Sequence, residues 1–171
     1  VALSGAAMIA GAVTAAVADQ SWEDILQFAE LVNDLAFKAG APTWAAHTKN
    51  RLQLGIRLAH TYRTDELGFM AALRDLVGTG TMVSESIPAA VTIAYYTRNV
   101  KDCALFCANL GGDTDTIGAM ATAICGAKNG AQSIDSDWLK TIDEANPTHD
   151  LHDYAAAMLQ FTVHQSPSQE E

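Results

Sequence analysis

The chain opens with a run of small apolar residues that limits how it can fold. Residues 1–18 carry no charged side chain, and Ala and Gly stand where a membrane span would have Leu. The run also lacks the positively charged flank of a signal peptide or a membrane anchor. Neighbouring helices can approach such small residues closely, so we expect a helix over residues 3–18 that packs inside a bundle. We therefore do not predict a membrane partner.

The rest of the chain carries helix signals and few strand signals. Few stretches alternate apolar with polar residues, only four prolines occur, and 49% of the 171 residues are hydrophobic. The sequence therefore predicts an all-α fold with a sizeable core. Ten basic residues against twenty acidic ones give a net charge of −10. This balance disfavours a nucleic-acid partner, because phosphate binding needs clustered Lys and Arg.

Capping residues and glycines predict where the helices begin and end. Ser21 forms a capping box with Asp24, and the helix that follows ends near Gly40. A third helix is expected over residues 50–60, and a fourth from a cap at Thr64 to Gly78. The next helix has Pro88 in its first turn, and the one after it runs from a cap at Asp102 to Gly111. The last helices are expected over residues 115–128, around Trp138, and over residues 149–161. The polar residues 165–171 are expected to be disordered.

One segment, NLGGDTDTIG at residues 109–118, carries residue types suited to chemistry. Asp113 and Asp115 are two positions apart, Thr116 follows, and a glycine pair precedes them. Carboxylate and hydroxyl oxygens suit Mg²⁺, Ca²⁺ or Mn²⁺ better than Zn²⁺ or copper. Residues two apart share no helix face, so the three side chains converge only in a loop, which the glycines permit. The short D-x-D-T pattern is equally typical of a helix N-cap.

The longer run over residues 109–130 resembles the C-terminal metal motif of the ADP-ribosylglycohydrolase family, which includes the ADP-ribosylarginine hydrolases and the dinitrogenase-reductase-activating glycohydrolases. Residues 78–81 (GTGT) and 85–90 (ESIPAA) resemble the family's ligand loop and the helix after it. The resemblance implies a compact multi-helix bundle and a cofactor of two Mg²⁺ ions, with Mn²⁺ as an alternative. It also implies ADP-ribose, or a molecule that carries it, as the partner.

The resemblance also implies site residues. It implies metal ligation by Asp113, Asp115 and Thr116. It implies substrate contacts by Thr79, Gly80, Thr81 and Gly112. The loop at residues 79–81 has no aromatic side chain to stack on adenine, and on residue types alone it is equally typical of a glycine turn between helices.

The family's other metal motif, a Thr-Asp-Asp run, belongs to its N-terminal half, and no Asp-Asp pair occurs in this chain. We therefore expect residues 1–164 to be about the C-terminal half of a single all-α hydrolase domain. The missing N-terminal half is then an expected partner that completes the metal site and supplies the catalytic acidic residue. No catalytic residue is assigned here, and Glu85 has no motif support.

Cysteine and tryptophan residues are predicted to be structural. We expect three buried free thiols, in keeping with a reducing cytoplasm, at Cys103, Cys107 and Cys125. Core anchors are expected at Trp22, Trp44 and Trp138. The histidine pair His149 and His152 lacks a third ligand, so no metal site is predicted there.

Three functions remain open. The first is a Mg²⁺-dependent hydrolase that removes ADP-ribose from a protein side chain or a small molecule through an N- or O-glycosidic bond, inactive as this fragment alone. The second is a non-catalytic, crystallin-like relative that keeps the fold or binds ADP-ribose without hydrolysis. The third is a helical interaction module. The intact D-x-D-T run favours the first, because an inactive relative is expected to lose it.

Overall fold

The computed structural model describes residues 1–163, with side chains up to residue 160. In that range the chain is helical and forms no strand, which confirms the all-α prediction. The helices are α1 (Ala2–Val17), α2 (Trp22–Ala39), α3 (Thr48–Thr61), α4 (Glu66–Ala72), α5 (Val83–Thr97), α6 (Val100–Leu110), α7 (Thr114–Asn129), α8 (Ser136–Ala145) and α9 (Leu151–Val163). A π-helical turn (Leu73–Val77) continues α4, and a 3₁₀ turn (Ala131–Ser133) follows α7.

The chain divides into two compact units, Val1–Ile134 and Asp135–Glu171. The first contains α1 to α7, and the second contains α8 and α9. The single domain expected over residues 1–164 stays a prediction. The tail expected to be disordered, residues 165–171, lies outside the described residues.

Helix α5 is the central element of the first unit. It packs against α1, α3, α6 and α7, and its side chains from Ile87 to Tyr95 are all buried. A mainly apolar helix buried on all sides is what the core of a bundle requires. The N-terminal end of α5 follows the loop at residues 78–82.

The small residues of α1 allow close helix contacts, as predicted. A Cβ atom at Gly5 would lie 2.5 Å from a methyl carbon of Val83, at the start of α5. A Cβ atom at Gly11 would overlap a methyl group of Val32 on α2. Glycine at both positions therefore lets two neighbouring helices reach the α1 backbone.

The position predicted for Pro88 is wrong: it lies in the second turn of α5, inside the helix. Proline has no N–H group, so the carbonyl of Ser84, four residues earlier, receives no helical hydrogen bond from it. The guanidinium of Arg51 on α3 donates to that carbonyl at 3.0 Å instead. A contact from another helix thus compensates for the proline. The sequence around Pro88 does not reveal that contact.

Two of the predicted helix caps are also wrong. Asp65, not Thr64, caps α4. Asn99, not Asp102, caps α6, and its side chain accepts from the backbone N–H of Asp102 at 2.8 Å. The cap at Ser21 is confirmed, because its hydroxyl accepts from the Asp24 backbone N–H at 3.1 Å. The predicted cap is one residue from the observed one at α4 and three residues from it at α6.

The three cysteines are free and buried, as predicted. Trp22 packs against the core and Trp138 is half-buried, but Trp44 is fully exposed, so its prediction as a core anchor is wrong. Trp44 lies between α2 and α3, outside both helices. Among the described residues, no helix combines the length and the apolar composition that crossing a membrane requires.

Candidate metal centre

The three residues proposed as metal ligands lie where a loop becomes α7. Asp113 occupies the N-cap position, but its side chain accepts no capping bond from the backbone. Its Oδ1 atom accepts instead from the Thr116 hydroxyl at 3.0 Å. Asp113 therefore does not cap α7 with its side chain.

The carboxylate of Asp115 is exposed and belongs to the first turn of α7. The backbone N–H of Thr116, then the Asp113 side chain and the N–H of Asp115 itself, hold the pKa of the Asp115 carboxyl below its usual range. Hydrogen bonds to the charged form have this effect. Asp115 is therefore an anion at neutral pH and lies next to the Asp113 side chain.

The donor set at this junction fits part of a Mg²⁺ site. It offers two carboxylates and one hydroxyl, which are hard oxygen donors, whereas Mg²⁺ takes six ligands in an octahedron. Across the described part of the chain, no group of three or more His, Cys, Asp or Glu side chains is placed to hold a metal ion. Water, the substrate or protein outside this chain would have to complete the coordination. A shallow cavity of about 320 Å³ lies beside Asp115, between α6 and α7.

The loop at residues 78–81 is called the ligand loop below, after the family motif that it resembles. It contacts the junction between the preceding loop and α7, where Asp113 lies. The backbone N–H of Asp113 donates to the carbonyl oxygen of Thr79 at 2.7 Å. Gly112 has a φ of +84°, and a Cβ atom there would overlap the same carbonyl oxygen. Glycine is thus required at 112 both for its conformation and for the close approach. Two of the predicted substrate residues, Thr79 and Gly112, are therefore in contact with each other.

The other two predicted substrate residues lie further along the ligand loop. Gly80 donates its backbone N–H to Glu85 Oε2 at 3.1 Å. Thr81 is exposed, as is Met82 after it. Thr79 itself is buried. Thr81 is therefore the hydroxyl of this loop that a ligand in solvent can reach.

Comparisons with known proteins identify the family of this chain. Residues 1–168 match the sequence model of the family described as ADP-ribosylglycohydrolase. The chain belongs to the ADP-ribosylglycohydrolase family. This confirms the resemblance drawn from the two glycine-rich motifs. No solved structure is significantly similar to the chain.

Three known proteins are similar to the chain, and the matched region covers a different share of each. It is 35% identical to the uncharacterized protein YegU of Escherichia coli K12 over 161 residues, which are 94% of the chain and 48% of that protein. It is 32% identical to the ADP-ribosylhydrolase ARH3 of Xenopus tropicalis over 102 residues, which are 51% of the chain and 29% of that protein. It is 29% identical to the ADP-ribosylhydrolase ARH3 of Gallus gallus over 94 residues, which are 44% of the chain and 26% of that protein. The chain thus spans about half the length of YegU.

In this member of the ADP-ribosylglycohydrolase family, the structure also reveals one residue that the sequence interpretation set aside. The carboxylate of Glu85 reaches back from the first turn of α5 to the ligand loop and pairs with Arg51. The signal for it was its position, because Met82 is the N-cap of α5 and Glu85 is the third residue after it. A glutamate at that position often accepts from an N–H group before the helix, as in a capping box.

Proposed function

We propose that the full protein hydrolyses a bond to ADP-ribose, with its metal centre at Asp113, Asp115 and Thr116 and its nucleotide along Thr79–Thr81. The observation that carries the proposal is the hydrogen bond from Asp113 to Thr79, which holds the junction of the candidate metal ligands against the ligand loop. Membership of the ADP-ribosylglycohydrolase family supports the reaction class. The names of the two vertebrate relatives, ADP-ribosylhydrolases, support the substrate.

The proposed roles follow from the donor chemistry. Asp113, Asp115 and Thr116 would contribute ligands to two Mg²⁺ ions, with Mn²⁺ as an alternative, and the Thr116 hydroxyl donates to Asp113. Mg²⁺ at such a site supplies positive charge that can hold the ribose hydroxyls and acidify a bound water. In the reaction, a water oxygen bonds to the anomeric carbon of the ribose, the bond to the leaving group breaks, and the leaving group takes a proton. We expect the acidic residue that assists this transfer to lie outside this chain.

The first experiment measures release of ADP-ribose by the full-length protein. ADP-ribosylated arginine peptide, serine peptide and a small-molecule conjugate are each incubated with Mg²⁺ or with a chelator, and the products are identified by mass spectrometry. We expect release from at least one substrate with Mg²⁺ and none with the chelator. Absence of release from all three substrates would contradict the hydrolase proposal.

The second experiment measures binding, which separates the hydrolase from the non-catalytic alternative. A ligand that binds only the folded state should stabilise the Mg²⁺-loaded full-length protein by about 2.7 kcal/mol at about a hundredfold excess over Kd. Differential scanning calorimetry with ADP-ribose, adenosine or ribose 5-phosphate reports the shift and compares the two ends of the site. Stabilisation by ADP-ribose without turnover would favour the non-catalytic relative, and no stabilisation would contradict both.

A further inference from the structure

The carboxylate of Glu85 joins two parts of the first unit that are distant in sequence. Its Oε2 atom accepts from the Gly80 backbone N–H at 3.1 Å, and its Oε1 atom lies 3.5 Å from Nη1 of Arg51 on α3. Both side chains of this ion pair are only 29% exposed. A partly buried pair that also has a backbone partner is held in place more firmly than a surface pair. Glu85 thus connects α3 to the ligand loop.

The guanidinium of Arg51 has a second partner on α5, which fixes where it meets Glu85. Pro88 offers no N–H to the Ser84 carbonyl, and Nη1 of Arg51 donates to that carbonyl at 3.0 Å. The carbonyl of Ser84 and the carboxylate of Glu85 come from consecutive residues. Nη1 of Arg51 therefore lies at the beginning of α5, beside the ligand loop, with the Ser84 carbonyl as its hydrogen-bond acceptor and the Glu85 carboxylate as its ion-pair partner.

The ligand loop is wrapped around the Glu85 carboxylate. A Cβ atom at Gly78 would lie 2.7 Å from the carboxylate carbon, and one at Gly80 would lie 2.7 Å from Oε2. Gly78 also has a φ of +92°, which favours glycine. Thr79 lies between these two glycines, and its carbonyl accepts the Asp113 N–H at 2.7 Å. The path of the loop around Glu85 therefore sets the direction of the carbonyl that holds Asp113.

We propose that Glu85 is a positioning residue that, held by Arg51, shapes the ligand loop and through Thr79 aligns Asp113. Its carboxylate touches the backbone of the loop and the guanidinium, not the metal ligands. The effect on the ligand loop is independent of any metal. Its effect on Mg²⁺ affinity rests on the proposed function of Asp113 and Asp115.

The experiment compares three variants of the full-length protein. Glu85→Ala removes both contacts of the carboxylate, whereas Glu85→Gln keeps an oxygen acceptor for Gly80. Glu30→Ala is the matched control, because Glu30 is 26% exposed and pairs with Lys49 on α3, the helix that also carries Arg51. Amide hydrogen exchange measured by NMR follows the Gly80 and Asp113 N–H groups, and isothermal titration calorimetry follows Mg²⁺ affinity.

We expect Glu85→Ala to accelerate exchange of both amides by about tenfold or more, because the opening of local structure controls exchange. It should weaken Mg²⁺ binding by about tenfold, the lower end of the effect of outer-shell residues on metal affinity. Glu85→Gln should retain most of the protection, and Glu30→Ala should leave both quantities unchanged. Unchanged exchange of Asp113 in Glu85→Ala, or an equal loss in Glu30→Ala, would overturn the proposal.

Two further outcomes have a defined meaning for the proposal. If Glu85→Ala does not fold, Arg51→Gln decides, since it removes the guanidinium, with its ion pair and its bond to the Ser84 carbonyl, and leaves the Glu85 carboxylate. Faster Gly80 and Asp113 exchange supports the proposal, and unchanged exchange overturns it. If the unaltered protein binds no Mg²⁺, the proposed function fails at the metal centre. Amide exchange still decides the positioning role of Glu85 in that case.

Discussion

The backbone N–H of Asp113 donates to the carbonyl oxygen of Thr79 over 2.7 Å, although the two residues belong to different loops. Asp113 occupies the N-cap position before α7, and Thr79 lies before α5. One hydrogen bond thus joins the candidate metal ligands to the ligand loop. Because Thr79 is buried, loss of this bond would leave a shielded carbonyl without its partner, which is costly.

Gly112→Ala should disrupt this junction, and Gly111→Ala is its matched control. Both glycines have positive φ values, +84° and +79°, but a Cβ atom meets the Thr79 carbonyl at Gly112 and nothing within 4 Å at Gly111. Backbone strain should cost each variant about 1–3 kcal/mol of unfolding free energy, and Gly112→Ala should lose more because of the overlap. Urea unfolding measures the difference. Equal losses in the two variants would contradict the close approach.

Asp115→Ala in the full-length protein should remove Mg²⁺ binding and leave the fold intact. The carboxylate is exposed, so its removal creates no cavity in the core. Glu66→Ala, which removes an exposed acid from the first turn of α4, is the control and should bind Mg²⁺ normally. Titration calorimetry reports affinity and urea unfolding reports stability. Normal Mg²⁺ binding by Asp115→Ala would rule out this metal centre.

Thr92→Val should stabilise the first unit. The Thr92 hydroxyl oxygen is fully buried on α5 and, among the described residues, has no hydrogen-bond partner. Replacing it with a methyl group removes an unpaired buried polar group, so the free energy of unfolding should rise by about 1 kcal/mol. Thr97→Val on the same helix removes a hydroxyl that donates to the Ile93 carbonyl at 2.9 Å, so it should not stabilise. Urea unfolding compares them, and a destabilised Thr92→Val would show that the hydroxyl is satisfied.

Asp19→Asn should reduce the loss of stability in acid. The carboxylate of Asp19 bonds to the Lys128 ammonium, and this hydrogen bond and charge hold the pKa of Asp19 below its usual value of 3.8. A carboxyl with a lowered pKa stabilises the fold above its unfolded pKa, and that stability is lost as the pH falls through the folded pKa. The variant should therefore be less stable near neutral pH and show a flatter decline below about pH 4. Asn tolerates the positive φ of 55° at this position. Urea unfolding from pH 2.5 to 7 measures the curve, and a decline as steep as in the unaltered protein would contradict a role for this pair.

Predictions are confirmed where the feature depends on residues close to one another in the sequence. The helical pattern, the capping Ser21 and the buried cysteines are examples. The glycine-rich motifs also identified the family correctly. The assignment of metal and substrate contacts to particular residues stays a prediction.

The errors concern features that local patterns do not decide, such as contacts with residues distant in sequence and the choice between neighbouring cap residues. Pro88 lies inside α5 because Arg51 donates to the carbonyl that the proline leaves unpaired. Trp44 is exposed because it lies between two helices, and its apolar side chain alone did not indicate this. Glu85 received no role from the sequence, because its contacts with Arg51 and with the Gly80 N–H form only in the folded chain.

The sequence by itself determined that this protein is helical, that its first helix can be approached closely, and that two glycine-rich loops precede helices. These properties depend on periodicity and on backbone freedom, which act between residues near one another in the chain. Only the tertiary structure decided that the Thr79 carbonyl meets Asp113 and that Arg51 holds Glu85. Both contacts exist because α3, α5 and α7 pack side by side, and the geometry of that packing depends on the whole core at once.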